Sequence, residues 1–101
     1  MEEKITQLEL RNNEENKQFE ATVDGHVALI EYTINDNRIF LTHTEVPSEL
    51  AGRGVGSLLV KETLGEIERM NLRVIPACKF VKGYIQKHTE YTRLLATGIY
   101  I

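Results

Sequence analysis

The hydrophobic period of this chain changes at one place, and that place is marked by three alternating glycines. Residues 19–46 read largely as period-two strand pattern, whereas apolar positions from 56 to 70 recur with the 3.6-residue period of a helix. The junction is Glu49-Leu50-Ala51-Gly52-Arg53-Gly54-Val55-Gly56-Ser57-Leu58. Sheet must give way to helix across a loop whose backbone is unusually free.

Before the junction the pattern predicts an antiparallel meander. Asp24-Gly25 is a two-residue type I′ hairpin signal. That turn sets Val23 opposite His26, Ala21 opposite Ala28 and Phe19 opposite Ile30, so one mostly apolar face runs from Phe19 to Tyr32. Asn35-Asp36-Asn37 turns the chain into a strand from Arg38 to Val46. A first strand is expected near Ile5 to Leu10, followed by a polar turn from Asn12 to Lys17.

After the junction, Gly56, Leu59, Val60, Thr63, Leu64, Ile67 and Met70 fall within an arc of about 140°. This predicts a helix from about Gly54 to Asn71. Leu72 to Ile75 reads as a short buried strand stopped by Pro76, parallel to the strand before the loop because a helical crossover joins them. Phe80, Val81, Tyr84, Ile85 and His88 give a second helix, and Tyr91, Leu94 and Leu95 a short helical tail. The expected fold class is α+β: a mixed, mainly antiparallel sheet with a βαβ second half, in a single domain over residues 1–101.

Composition excludes several function classes. A hydrophobic fraction of 42% and a charged fraction of 27% are ordinary for a globular domain. No apolar run reaches the roughly 20 residues of a membrane span, and Met1-Glu2-Glu3-Lys4 is not a signal peptide. One cysteine permits no internal disulfide, and a cytoplasmic setting fits. His26, His43 and His88 are scattered, giving no metal box. A net charge of −3 argues against nucleic acid as the main partner. Residues 1–50 hold 11 acids against 4 bases, while residues 51–101 hold 8 bases against 4 acids. The glycine loop opens the basic half, where an anion is steered, and the acidic half suits a cationic group. Both halves also suit plain solvated surface.

Glycines before a helix let backbone N–H groups and the helix dipole meet a phosphate. A P-loop is excluded because Gly56 is followed by Ser57-Leu58 rather than Lys-Ser/Thr. A dinucleotide fingerprint is excluded because Leu59 stands where its third glycine belongs. The same glycines also suit a turn with no ligand. Cys78 begins the second predicted helix beside Lys79 and Lys82, a setting that lowers a thiol pKa; a lone cysteine is also a common small buried hydrophobe. His43 and Glu45 share a strand face that ends at the loop, and either could serve as a general base. Tyr84 is a candidate proton donor and equally a core residue. His88, near a helix end, reads as a cap.

Two segments together resemble a known family. His43-Thr44-Glu45-Val46-Pro47 through Gly52-Arg53-Gly54-Val55-Gly56-Ser57, and Pro76-Ala77-Cys78-Lys79-Phe80-Val81 through Tyr84 and His88-Thr89-Glu90-Tyr91, resemble the GNAT superfamily of acetyl-CoA-dependent N-acetyltransferases. The likeness is to its minimal branch of YjdJ-type N-acetyltransferase-like domains. In the pattern Q/R-x-x-G-x-G/A the glycines match Gly54 and Gly56, while Ala51 replaces the first residue. The resemblance implies that Gly52, Arg53, Gly54, Val55, Gly56 and Ser57 hold the CoA pyrophosphate. It further implies that the pantetheine arm lies between splayed strands near Val46 and Val74-Ile75, with Cys78 by the thioester. The implied activity is N-acetyl transfer to an exposed amine on a peptide, protein or polyamine, with acetyl-CoA as co-substrate and no metal. The alternative is a non-catalytic acyl-CoA-binding or protein-interaction module. Full-length members carry two helices between their first strands and two further C-terminal strands. Neither fits here, so the acceptor side is open or completed by another subunit.

Overall fold

The computed structural model describes residues 4–101; Met1–Glu3, part of the segment tested above for a signal peptide, lie outside the described residues. Five strands form one sheet in chain order: β1 (Arg11–Asn13), β2 (Gln18–Val23), β3 (His26–Asn35), β4 (Arg38–Glu45) and β5 (Arg73–Pro76). Helix α1 (Val55–Arg69) links β4 to β5, and α2 (Lys79–Lys87) follows β5, with short 3₁₀ turns at Ser48–Leu50 and Thr89–Leu94. The first four strands are antiparallel and β4–β5 is parallel, with Arg38 opposite Arg73 and Leu41 opposite Pro76. The expected α+β class and crossover are both observed.

The β2–β3 hairpin has the register that its turn dictates. Val23 pairs with His26, Ala21 with Ala28 and Phe19 with Ile30. Asp24 and Gly25 both take positive φ, 50° and 78°, as a type I′ turn requires. Phe19, Ala21, Val23, Ala28, Ile30 and Tyr32 are buried, and their alternates are not. Onto this face pack Val55, Leu59, Val60, Leu64 and Ile67 of α1 and Val81 and Ile85 of α2. One face of the sheet is therefore covered by helices, and the other carries mainly exposed and half-buried residues.

Helix α1 stops through a Schellman arrangement. The Leu72 N–H donates to the Ile67 carbonyl and the Asn71 N–H to the Glu68 carbonyl, with Asn71 at φ 60°. The chain then turns directly into β5, whose start is held by the Arg73 N–H donating to the Asn37 carbonyl at 2.8 Å. The edge of β5 is partly covered where Leu95 bridges Val74 and the Ala96 N–H donates to the Val74 carbonyl.

Two sequence expectations are corrected. No strand forms over Ile5–Leu10; those residues run without regular structure, and the first strand is Arg11–Asn13. Ile5, Leu8 and Leu10 are apolar because they pack against the core, and the Ile5 N–H bonds the Arg53 carbonyl at 2.9 Å rather than a neighbouring strand. The strand expected at Leu72–Ile75 is displaced by one residue and includes Pro76, which an edge strand tolerates at its end.

Thr63 of α1 is fully buried, and its hydroxyl has no hydrogen-bond partner among the described residues. An unpaired buried hydroxyl costs about 1–3 kcal/mol. Thr63→Val keeps the shape and removes that cost, so it should raise the unfolding free energy by roughly 1 kcal/mol. Urea denaturation checks this, and a destabilised variant would mean that the hydroxyl has a partner in solution.

Candidate functional site: the glycine loop and the opening between β4 and β5

The loop that leaves β4 is built to present bare backbone. Gly52 and Gly54 both sit at φ 78°, in the left-handed region open to glycine. Gly54 is the N-cap of α1, without a side-chain cap and without an acid in the first helical turn. The first N–H groups of a helix have no intrahelical acceptor, so this end offers donors and the positive end of the dipole together. A Cβ built on Gly52 meets nothing within 4 Å, and one on Gly54 meets only the Lys4 side chain at 3.8 Å. The glycines are thus required by backbone conformation and leave open space above them, the setting that a phosphate needs.

Gly56 serves a different purpose. A Cβ there would lie 2.8 Å from Cζ of Phe80, so this glycine lets the Phe80 ring approach α1. Phe80 itself remains 45% exposed. Between α1 and α2 the surface is hollowed into two adjoining cavities. One of about 390 Å³ is lined in part by Gly54, Ser57, Lys61 and Tyr91. The other, of about 180 Å³, is lined in part by Lys79, Phe80 and Lys87. Ser57, Tyr84 and His88 line both. The hollow therefore runs from the glycine loop along a wall bearing three lysines.

At the end of the sheet next to the loop, β4 and β5 part company. Their ladder ends at Leu41–Pro76, after which the Cys78 N–H still reaches the Leu41 carbonyl at 2.9 Å. A register shift in the β3–β4 pairing leaves Thr42 as an extra residue, since Tyr32 pairs with Leu41 but Glu31 with His43. Its hydroxyl donates to the Glu31 carbonyl oxygen at 3.3 Å. The bulge changes which side chains face inward. Thr44, opposite buried Ile30, points to the covered face and lies 3.2 Å from Cys78 Sγ. His43 and Glu45 stand on the open face, with His43 Nε2 3.3 Å from Glu45 Oε2.

Cys78 is the N-cap of α2. Burial pushes its thiol pKa up, but hydrogen bonds from the Thr44 hydroxyl and from the backbone of Val81, Phe80 and Thr44 outweigh this, and the net direction is below the ordinary value. The helix-start setting expected from sequence is present, and Thr44 is a contributor that sequence reading missed. Tyr84 behaves in the opposite way. Burial first, then Tyr91 and Glu90 beside it, push it up to about 12, so it keeps its proton throughout the neutral range. Its ring stacks on His88 at a 4.1 Å centroid separation.

The fold has known counterparts. The model of the GCN5-related N-acetyl-transferase family matches residues 18–94. The chain belongs to that family. Within it, the solution structure of a GCN5-like protein from Staphylococcus aureus is 29% identical and superposes with a TM-score of 0.69, covering 95% of this chain and 94% of the other. Protein NATD1 is a more distant relative. The chain is 25% identical to the Xenopus tropicalis protein and 26% identical to the Gallus gallus protein over 85 residues, which are 80% of this chain and 77% and 76% of those proteins.

The remaining candidates of this GCN5-related domain fall into separate surroundings. Cys78 meets Thr44, Tyr84 meets His88 and Tyr91, and His43 meets Glu45. Val46 is half-buried just past the end of β4. Val74 and Ile75 lie inside the parallel ladder with Ile39 and Phe40, so the pairing of the two strands ends after Pro76 and not at Val74-Ile75 as expected. Arg53 bonds Asp24 at the β2–β3 turn through Nη1, and its side chain is only 13% exposed. Its charge is thus partly offset by the hairpin. The sequence pointed to Lys79 beside Cys78 and to the basic half as a whole, but not to Lys61, Lys79 and Lys87 as one wall.

Thiolate chemistry follows from the Cys78 surroundings. Iodoacetamide alkylation followed against pH should give an apparent pKa below the free-cysteine reference of about 8.5. Reactivity then persists to lower pH and is lost as pH falls through that value. Thr44→Val removes the hydroxyl donor and should move the midpoint upward. An unchanged midpoint in Thr44→Val would show that the hydroxyl does not act on the sulfur.

Proposed function

We propose that this domain is an acetyl-CoA-dependent N-acetyltransferase acting on an exposed amine. One observation carries the reading: an uncapped helix start behind left-handed glycines follows β4, whose pairing with β5 ends at Leu41–Pro76, two residues before Cys78. Residues Gly52 to Ser57 hold the pyrophosphate through backbone N–H groups, and Lys61, Lys79 and Lys87 attract the rest of the nucleotide. Open space over Gly52 and Gly54 fits this role. Ala51 in place of the motif's glutamine or arginine removes a side chain but leaves the backbone donors.

Acetyl-CoA supplies the acyl group as an activated thioester. The protein's part is to orient it and to move protons. Glu45 or His43, on the open sheet face, accepts the proton of the incoming ammonium and leaves a nucleophilic amine. The amine forms the new N–C bond as the C–S bond breaks, and a proton donor neutralises the departing thiolate. Tyr84 is retained as a candidate donor because it is protonated at neutral pH. Cys78, with its lowered pKa, lines the thioester position and is also a candidate acyl acceptor ahead of the amine. The setting consistent with a single free thiol is cytoplasmic.

The cofactor assignment is tested by calorimetry with CoA. Saturable binding is expected, weakened at least about tenfold in Gly54→Val, because a β-branched residue resists positive φ and covers the backbone donors. Melting curves establish that the variant is folded. Absence of binding to the native protein at millimolar CoA would refute the cofactor.

The acceptor is an amine on a cationic polypeptide or a polyamine, reaching the protein across its acidic amino-terminal half. That attraction is screened over about 8 Å at physiological salt. Acetylation of lysine peptides and spermidine should therefore show a KM that rises with ionic strength. A KM indifferent to salt would remove the charge-steering argument. Tight CoA binding with no amine acetylated would favour the non-catalytic acyl-CoA module instead.

A further inference from the structure

The ends of β4 and β5 farthest from the glycine loop carry a second donor-lined hollow. Arg38 opens β4 and Arg73 opens β5, and the parallel ladder makes them direct neighbours. Like charges placed opposite one another on a sheet are unfavourable unless something compensates them. Nothing in the fold does so for Arg38, whose side chain makes no hydrogen bond or ion pair among the described residues. Asp36, two residues away in the turn, pairs with neither arginine.

Arg73 is anchored rather than free. Its Nη1 donates to the Arg93 carbonyl oxygen at 2.8 Å, which fixes the guanidinium while leaving its other donors available. Glu68, which lines a neighbouring hollow with Arg73, is already engaged by both terminal nitrogens of Arg93. The carboxy-terminal segment completes the site. The Ala96 N–H bonds the Val74 carbonyl, and this brings Thr97 to the rim. The resulting cavity of about 370 Å³ is lined by Asn37, Arg38, Arg73, Ala96 and Thr97. Each of the four polar side chains carries a donor, and no carboxylate is among them.

We propose that Arg38, Arg73 and Thr97 bind a phosphoryl oxyanion at this end of the sheet. The site is distinct from the acyl-CoA loop, since β4 separates the two by roughly 20 Å of strand. Two guanidinium forks suit the pairs of oxygen acceptors that a tetrahedral phosphoryl group presents. The Thr97 hydroxyl adds a neutral donor. Binding relieves the repulsion between the two arginines, so the anion serves as the missing counter-charge.

The proposal is tested by titrating the full chain with inorganic pyrophosphate while following backbone amide resonances. Amides of Arg38, Arg73 and Thr97 should shift saturably with a midpoint near or below about 1 mM. They are read separately from Gly52–Ser57, which report the other site. Arg38→Gln should weaken the response about tenfold or more. The Arg38 side chain makes no hydrogen bond or ion pair among the described residues, so this variant removes no polar contact of the fold. In low salt, pyrophosphate should also raise the melting temperature of the native protein more than that of Arg38→Gln. Absence of saturable shifts at these amides, an undiminished response in Arg38→Gln, or equal affinity for acetate would each overturn the proposal.

Discussion

The extra residue in β4 is the constraint on which the rest of the site depends. Without it, Ile30 would face His43, and every side chain beyond Leu41 would lie on the opposite face. With Thr42 accommodated as a bulge, Thr44 turns toward the helices and meets Cys78, while His43 and Glu45 turn toward the open face. The thiol and the candidate bases are thus put on the two sides of one strand. A bulged strand also bends and twists more strongly, consistent with β4 leaving β5 after Leu41 and Pro76. A donor held on the helix side and an acceptor arriving on the open side is the division of labour that this arrangement supports.

The second constraint is how closely the two helices approach at the loop. Gly56 removes the Cβ that would collide with Phe80, so the starts of α1 and α2 lie side by side. One start is uncapped beside Gly54, and at the other the backbone of Phe80 and Val81 bonds the Cys78 sulfur. The donors at the start of α1 thus lie beside the start of α2, and Lys61, Lys79 and Lys87 line the hollow between the helices together with Glu90. The β2–β3 hairpin and the loop are joined by Asp24 and Arg53. The acidic half of the chain thus braces the loop as well as facing outward.

Much of this fold was legible because separate signals agreed. At Asp24-Gly25 the turn type and the two-residue alternation demanded one register, and that register is observed. The α1 arc and the Gly52–Gly56 spacing likewise agreed on where sheet becomes helix. Signals failed where polarity no longer distinguished the faces. Thr42-His43-Thr44-Glu45 is polar on both sides, so nothing in it marks the bulge or selects Thr44 over His43 as the neighbour of Cys78. Ile5, Leu8 and Leu10 carried enough apolar character for a strand, but that character reflects packing against a core and not a partner in a ladder. The pairing of Arg53 with Asp24 was not legible because the two lie 29 residues apart.

The central claim is that the glycine loop and the opening beside Cys78 act together as one acyl-CoA cleft. Titration of isotope-labelled protein with CoA, followed residue by residue, tests it most directly. The account predicts coincident, saturable shifts at Gly52–Ser57 and at Thr44 and Cys78, with ADP perturbing the loop but leaving Thr44 and Cys78 in place. Shifts confined to other surfaces, or a loop response from CoA with none at Thr44 and Cys78, would contradict it.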